Sequence, residues 1–291
     1  MTSPSLPITA SSYLDIQGAL GITKHNGGLS ATLEILRLCR VAEAKEVLYV
    51  GSGIGVGPCV IAGRSRAHVV ALDISERMLD WTRQRAQEEG LGDRIETRQG
   101  DVLSLPFESD HFEAVLVESV LAFVQDKARA IRECVRVTRP GGRVAAYVWD
   151  YAGGMQMIRH FWDVALELNR DDAQLDQAER FPLCQPGPLE QLFRRVGLVS
   201  VSVRAIDVPT VFRDFEDYWR PFLGKQGAAP TYLATLRDDT RDRIRDTLKT
   251  RLVPSADGSI AMTARAWAVQ GSVTPNPSMH RTRSDGLRPL V

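Results

Sequence analysis

The 291-residue sequence has only four cysteines, Cys39, Cys59, Cys134 and Cys184, far apart and without a C-x-x-C pair. That spacing offers no zinc or redox motif and leaves buried free thiols as the expectation. The five histidines form no H-x-x-x-H pattern, so a metal site has no support in the sequence. An excess of one charge is missing too. The 36 Lys plus Arg balance 36 Asp plus Glu, and a chain without a net field is a poor partner for nucleic acid or an anionic membrane. No apolar run reaches the ~18 residues of a membrane span, and Met1 to Ala10 has neither the basic segment nor the apolar run of a signal peptide. The expectation is a soluble cytoplasmic protein. With 44% hydrophobic residues and no evident linker, one large core is expected.

What is present is organised around Val47-Leu48-Tyr49-Val50-Gly51-Ser52-Gly53-Ile54-Gly55-Val56-Gly57. The first four residues read as a buried strand, and glycine at every second position then stops it. Glycines at 51, 53, 55 and 57 allow a sharp turn and a close approach to a ligand, and Pro58 suits the start of a following helix. A dinucleotide fingerprint starting at Gly51 needs Gly or Ala where Val56 stands, and starting at Gly53 it meets Pro58. A phosphate loop needs Gly-Lys-Ser or Gly-Lys-Thr, and Gly224-Lys225 is followed by Gln226. G-x-G-x-G after a buried strand remains, as a ligand seat or as a bare tight turn.

Downstream, His68 to Leu72 reads as a second strand ending at Asp73. An acid about twenty residues after the glycines can accept both hydroxyls of a ribose. Asp73 or Ser75 can equally cap the helix expected from Glu76 to Glu89, which stops at Gly90. A third strand, Arg94 to Gln99, runs into Gly100-Asp101-Val102. A fourth, Phe112 to Val117, ends at Glu118-Ser119. A helix from Asp126 to Thr138 is broken by Arg139-Pro140-Gly141-Gly142 before a fifth strand, Arg143 to Trp149. Upstream, Tyr13 to Leu20 is a candidate helix, and Ser30 can cap another over Ala31 to Arg40.

With His25-Asn26-Gly27-Gly28-Leu29-Ser30-Ala31-Thr32 at the entry, the glycine turn, Asp73, Gly100-Asp101 and Arg139-Pro140-Gly141-Gly142-Arg143, the chain resembles the class I S-adenosylmethionine-dependent methyltransferases over about residues 25 to 150. The resemblance implies an α/β fold, a doubly wound Rossmann-like seven-stranded sheet that is mostly parallel with an antiparallel last strand, plus a helical insertion. It implies S-adenosyl-L-methionine as cofactor. The implied cofactor-binding set is Gly51, Ser52, Gly53, Gly55, Asp73, Ile74, Met78, Asp101, Val102 and Glu118, with Asp101 and the Val102 amide at the adenine edge. Two positions depart from the family pattern. Tyr49 stands where an acid is usual, so another group must accept from the cofactor's amino group, and on that alignment Tyr49→Glu is expected to tighten binding or leave it unchanged. Glu113 stands where Asp is common. The D/N-P-P-Y/F/W run is absent, because Glu118-Ser119-Val120-Leu121 occupies its place, which argues against amino-group methylation of nucleobases or glutamine, and the scattered cysteines argue against arsenite methylation.

Beyond Asp150 the resemblance weakens. Helices are expected over Met155 to Leu168 and Pro188 to Val196, a sixth strand over Val199 to Ile206, and a seventh over Ser259 to Val269, antiparallel and closing the sheet edge. Residues 1–271 then form one domain, with an entry segment over 1–42, a cofactor core over 43–150 and a helical insertion over 207–258. Residues 272–291, without periodicity, are expected to be a disordered tail. Tyr218, Trp219 and Phe222 in the insertion are expected to cover the acceptor. A general base, if used, has His25, Glu118 and His160 as candidates by position alone. The expected acceptor is a small molecule with an oxygen or carbon nucleophile. A non-catalytic S-adenosylmethionine-binding sensor or partner subunit stays open as an alternative, as does a nucleotide-binding oxidoreductase.

Overall fold

The computed structural model describes residues 32–34, 36, 37, 40–224 and 227–274. The helix expected over 13–20, the phrase from His25 to Ala31 with its cap Ser30, Cys39 and the residues after 274 lie outside them. Residues 32–34 and 36–37 are helical, within the helix expected over 31–40.

β1 (Glu46–Val50) leads through the glycine turn to α1 (Val56–Arg64), and β2 (His68–Asp73) leads to α2 (Glu76–Glu88). β3 (Ile95–Gln99), β4 (Phe112–Glu118), α3 (Lys127–Val137) and β5 (Thr138–Trp149) follow. The second half holds α4 (Gln156–Leu168), α5 (Gln177–Arg180), α6 (Pro186–Arg195), β6 (Val199–Phe212), α7 (Phe215–Trp219), α8 (Ala228–Thr235), α9 (Asp238–Arg251) and β7 (Ile260–Ser272). Local signals set these bounds. The Ser75 hydroxyl accepts from Met78 N at 3.4 Å and the Asp126 carboxylate from Arg129 N at 2.8 Å, each satisfying a first-turn amide of its helix. α2 ends at Gly90, whose positive φ lets Leu91 N reach back to Ala86 O at 2.7 Å.

The sheet order is β3-β2-β1-β4-β5-β7-β6. β1 to β5 pair in parallel, while β7 is antiparallel to both β5 and β6. The strands β1, β2 and β4 are nearly continuous apolar runs because helices cover both faces of a parallel sheet. Two expectations change. The edge beside β7 is closed by β6, not by β7. β6 carries Arg204, Asp207 and Pro209, which an edge strand tolerates, whereas the small residues Ala266, Ala268 and Val269 of β7 are buried. The helix before the run Arg139 to Gly142 ends at Val137, as expected, but the fifth strand begins at Thr138 rather than Arg143, so the run lies inside it. The run is the irregular start of β5, where the register shifts and Gly141 N donates to Val273 O at 3.0 Å. β7 runs through Ser272, so the tail begins later than expected.

β5 pairs with β7 as far as Trp149 and Ala266, but β6 and β7 go on pairing to Phe212 and Ile260. Since β6 runs parallel to β5, this two-stranded arm projects past the carboxyl ends of the parallel strands. Its end is packed by α4 and the helices between β6 and β7 into a second core that includes Phe161, Trp162, Tyr218, Phe222 and Ile244. The main core fills the sheet beneath α1, α3 and α6. Cys59, Cys134 and Cys184 are buried free thiols, as expected, and burial pushes the Cys134 and Cys184 thiols up to about 12, away from thiolate chemistry.

Candidate cofactor site

The carboxyl ends of β1, β2 and β4 meet at the glycine turn. Gly51 N and Ser52 N both donate to Leu72 O, at 2.8 and 3.0 Å, so the turn hangs from β2. The four glycines serve different purposes. A Cβ on Gly51 would overlap the Val120 side chain, and one on Gly55 would press on the α2 backbone at Thr82. One on Gly57, inside α1, would overlap the Tyr49 hydroxyl. Of the four, only at Gly53, with φ of 51°, is the space beside Cα open, with no other described residue but its chain neighbours within 4 Å. Gly53 is therefore the point of the turn where the backbone faces open space. The turn is stitched to α2 by side chains that sequence reasoning missed. Thr82 Oγ1 donates to Gly53 O at 3.0 Å, and Arg85 Nε donates to Ile54 O at 2.9 Å. Thr82 sits on the apolar side of its helix, where a threonine reads as filler, so nothing in the sequence marked it.

Asp73 is buried and binds the turn from below. Its Oδ2 accepts from Gly53 N at 2.9 Å and its Oδ1 from Ser75 N at 3.0 Å. Burial raises its pKa, opposed by hydrogen bonds from the Ser75, Gly53 and Ile74 backbone. The cap of α2 is Ser75, so Asp73 keeps lone pairs for a ligand hydroxyl. Ile74, beside it, is 51% exposed although apolar, while Met78 is buried. Asp101 lies exposed at the end of β3 with Leu103 N on its Oδ1 at 2.9 Å, and Val102 is buried.

Glu118 ends β4 on the same sheet face as Tyr49 and Tyr147, since Tyr49 pairs with Leu116 and Glu118 pairs with Tyr147. Only 5% of it is exposed. Thr32 Oγ1 donates to its Oε2 at 3.4 Å, and the Tyr49 and Tyr147 hydroxyls also act on the carboxyl group. Its Oε1 is buried without a hydrogen-bond partner. Burial pushes the Glu118 carboxyl up to about 7, against the pull of the Tyr49, Thr32 and Tyr147 hydroxyls.

Gly51, Ser52, Gly53, Gly55, Asp73 and Glu118 thus come together at one sheet edge, with Ile74, Asp101 and Val102 at the ends of the neighbouring strands. The base candidates do not converge. His25 lies outside the described residues. His160 is half-buried on α4, its pKa lowered by burial, and among the described residues no hydrogen bond or ion pair joins it to the glycine turn. The cover residues need correction. Tyr218, Trp219 and Phe222 are buried in the second core, where Tyr218 donates to Met157 O at 3.1 Å and Phe222 stacks on Phe161 at 4.8 Å. A short helix with aromatics at i and i+4 buries them against its nearest support, and that support is α4 and the projecting arm. Tyr218→Ala is accordingly expected to cost ~3–5 kcal/mol of stability, read as a fall in Tm without a selective change in ligand affinity.

A different aromatic group lies beyond the carboxyl ends of β4 and β5. Phe123 from the loop after β4 and Tyr151 from the loop after β5 each contact Phe181 after α5, with ring centroids 5.5 Å (Phe123–Phe181) and 5.3 Å (Tyr151–Phe181) apart. Phe123 is 47% exposed. These residues are scattered through three loops, and only the fold assembles them. Among the described residues no cluster of His, Cys, Asp and Glu suits a metal ion, and no helix is long and apolar enough to cross a membrane.

Residues 48–146 match a family profile described as a methyltransferase domain. The methyltransferase GfsG of Streptomyces halstedii is 31% identical over 118 residues, 40% of this chain and 42% of that protein. A demethylmenaquinone methyltransferase of Clavibacter sepedonicus is 37% identical over 100 residues, 34% of this chain and 39% of its own length. The chain therefore spans about two fifths of these relatives. Among solved structures, Haemonchus contortus phosphoethanolamine N-methyltransferase 2, in complex with S-adenosyl-L-methionine, aligns with a TM-score of 0.56 at 19% identity, over 92% of this chain and 59% of that one. At that identity the likeness concerns the fold, and the doubly wound sheet expected from the sequence is borne out.

Proposed function

We propose, with the methyltransferase domain of residues 48–146 as the premise, that this protein is an S-adenosylmethionine-dependent methyltransferase of the class I type, acting on a small-molecule acceptor in the cytoplasm. The observation that carries this reading is the seat at the end of β1, where a backbone held open at Gly53 stands over the buried carboxylate of Asp73. The residues fit the cofactor by kind. Gly51, Ser52, Gly53 and Gly55 would lie along its methionine and ribose parts, Asp73 would accept ribose hydroxyls, and Ile74 offers an exposed apolar side chain for a flat ring. Asp101 and Val102 would meet the adenine edge. When bound, S-adenosylmethionine supplies a methyl group on a sulfonium, which leaves readily to a nucleophile held in line. Alignment alone can lower such a barrier by ~7–11 kcal/mol, so no side-chain base is assigned.

The acceptor side is assigned to Phe123, Tyr151 and Phe181, with the helices between β6 and β7 rising beside it as the remainder of a cover. An aromatic wall of this size favours a small, partly apolar acceptor. The missing D/N-P-P-Y/F/W run disfavours the amino groups of nucleobases and glutamine, an oxygen or carbon nucleophile is the favoured acceptor, and the balanced charge gives nucleic acid no general attraction.

Calorimetry with S-adenosylhomocysteine and transfer of labelled methyl to pools of small acceptors test this reading. Binding is expected, and Asp73→Ala should weaken it about ten- to a hundredfold, the worth of a charged hydrogen bond. Phe123→Ala should raise the KM for the acceptor several-fold and leave the cofactor Kd alone. No binding at millimolar ligand sinks the proposal, and binding without turnover on any acceptor would move the protein to the sensor reading.

A further inference from the structure

A buried carboxylate oxygen without a partner is costly, and folded proteins keep one where a ligand or ion supplies what is missing. Among the described residues the Oε1 of Glu118 is in that position, at the carboxyl end of β4 and one strand away from Gly51. The groups facing the carboxyl from the elements packed around it are the Tyr49 hydroxyl of β1, the Tyr147 hydroxyl of β5 and the Thr32 hydroxyl of the helical residues over the sheet. Burial raises the pKa of both tyrosines, so they stay neutral, and among the described residues no Lys or Arg acts on Glu118. Among the described residues nothing supplies a cation to this carboxyl, and a ligand can do so. Tyr49 is sealed under α1 by contact with Gly57, so its own position can present no charge to a ligand.

We infer that Glu118 is the anchor for the ammonium group of the cofactor's amino-acid moiety, reached from β4 because Tyr49 fills the corresponding place on β1. The inference rests on the cofactor reading above and assigns its one cationic contact outside the sulfonium. The contact is ionic and hydrogen-bonding, with no bond made or broken. A carboxyl with a pKa of about 7 must give up its proton to accept from an ammonium, so binding of the ammonium-bearing ligand releases a proton. Affinity should then rise with pH up to about 7 and level off above it.

The experiment compares S-adenosylhomocysteine with 5′-methylthioadenosine, which keeps the adenosine and lacks the ammonium, in calorimetry at pH 8 and 5.5. For the intact protein S-adenosylhomocysteine should bind up to about thirtyfold more weakly at pH 5.5, the ratio expected for one group of pKa ~7 that must ionise. The nucleoside shares the ribose contact to Asp73, so its smaller pH dependence reports that carboxylate alone. Glu118→Gln, which keeps the shape, should lose about ten- to a hundredfold in affinity for S-adenosylhomocysteine at pH 8, lose the extra pH dependence, and bind the nucleoside within twofold of the unaltered protein. Unchanged S-adenosylhomocysteine affinity in Glu118→Gln overturns the inference, and so does an equal loss for both ligands, which would make Glu118 a structural support. An unaltered protein that binds neither ligand overturns the cofactor reading instead.

Discussion

Gly53→Val should abolish measurable binding of S-adenosylhomocysteine while the protein still folds. Gly53 has φ of 51°, a left-handed conformation that costs a β-branched residue at least ~1–2 kcal/mol. Among the described residues, apart from its chain neighbours, no atom lies within 4 Å of where its Cβ would stand, so little steric cost adds to that strain. A fall in Tm of several degrees is the expected price in stability for a chain of this size. The ligand fares worse. The valine methyls would take up the open space, and relaxing toward negative φ would pull Gly53 N off Asp73 Oδ2 and disturb the ribose acceptor as well. A loss beyond a hundredfold corresponds to ~2.7 kcal/mol, well within reach of a displaced ligand contact. Calorimetry beside a thermal melt decides it, and retained affinity would place the ligand elsewhere.

Tyr49→Glu should be strongly destabilising, which reverses the expectation drawn from the sequence pattern. Tyr49 is buried at the centre of the main core, with its hydroxyl beneath Gly57 and beside Glu118. A shorter glutamate removes the ring and leaves a cavity, for which large-to-small aromatic changes suggest ~3–5 kcal/mol. It also sets a second carboxyl beside one that burial already holds at about 7. Two neighbouring buried carboxyls cannot both ionise at modest cost, so the folded pKa values rise further. The sign follows from the linkage. A carboxyl whose folded pKa is raised favours folding below its unfolded pKa, and that contribution is lost as pH rises through the folded value. The variant should therefore be nearest to the unaltered protein at pH 4 to 4.5 and fall behind as pH rises past 7. A Tm drop of roughly 6–20 °C at pH 8, shrinking at low pH, is expected. A melt that matches the unaltered protein at pH 8 would refute the packing argument.

The residues that such substitutions probe differ in how far the sequence announced them. Backbone demands are local, and a local demand leaves a local mark. The strand before Gly51, the cap at Ser75, the stop at Gly90 and the acids at the ends of β2 and β3 all stood in the sequence, because each depends on a few neighbouring residues and on a fixed spacing. The doubly wound order of β1 to β5 was what the resemblance carried by those units implied.

Side-chain destinations were less legible, because they depend on what lies opposite. Tyr49 occupies a position that the pattern assigns to a ligand, yet α1 closes over it, and Gly57 exists at that spot to let it do so. Tyr218, Trp219 and Phe222 look the same in sequence whether they face a ligand or a core; the projecting β6–β7 arm and α4 gave them a core. Phe123, Tyr151 and Phe181 form a wall only because three separate loops end at one sheet edge. The position of β7 inside β6 was likewise a matter of which strand could bear an exposed edge. The sequence by itself determined the turn and the strand ends, since these obey spacing, and the family resemblance they carry implied the order of the parallel core. Tertiary structure decided which aromatics are buried, and it left one carboxylate oxygen of Glu118 without a partner, since burial and pairing are properties of neighbours brought together across the chain.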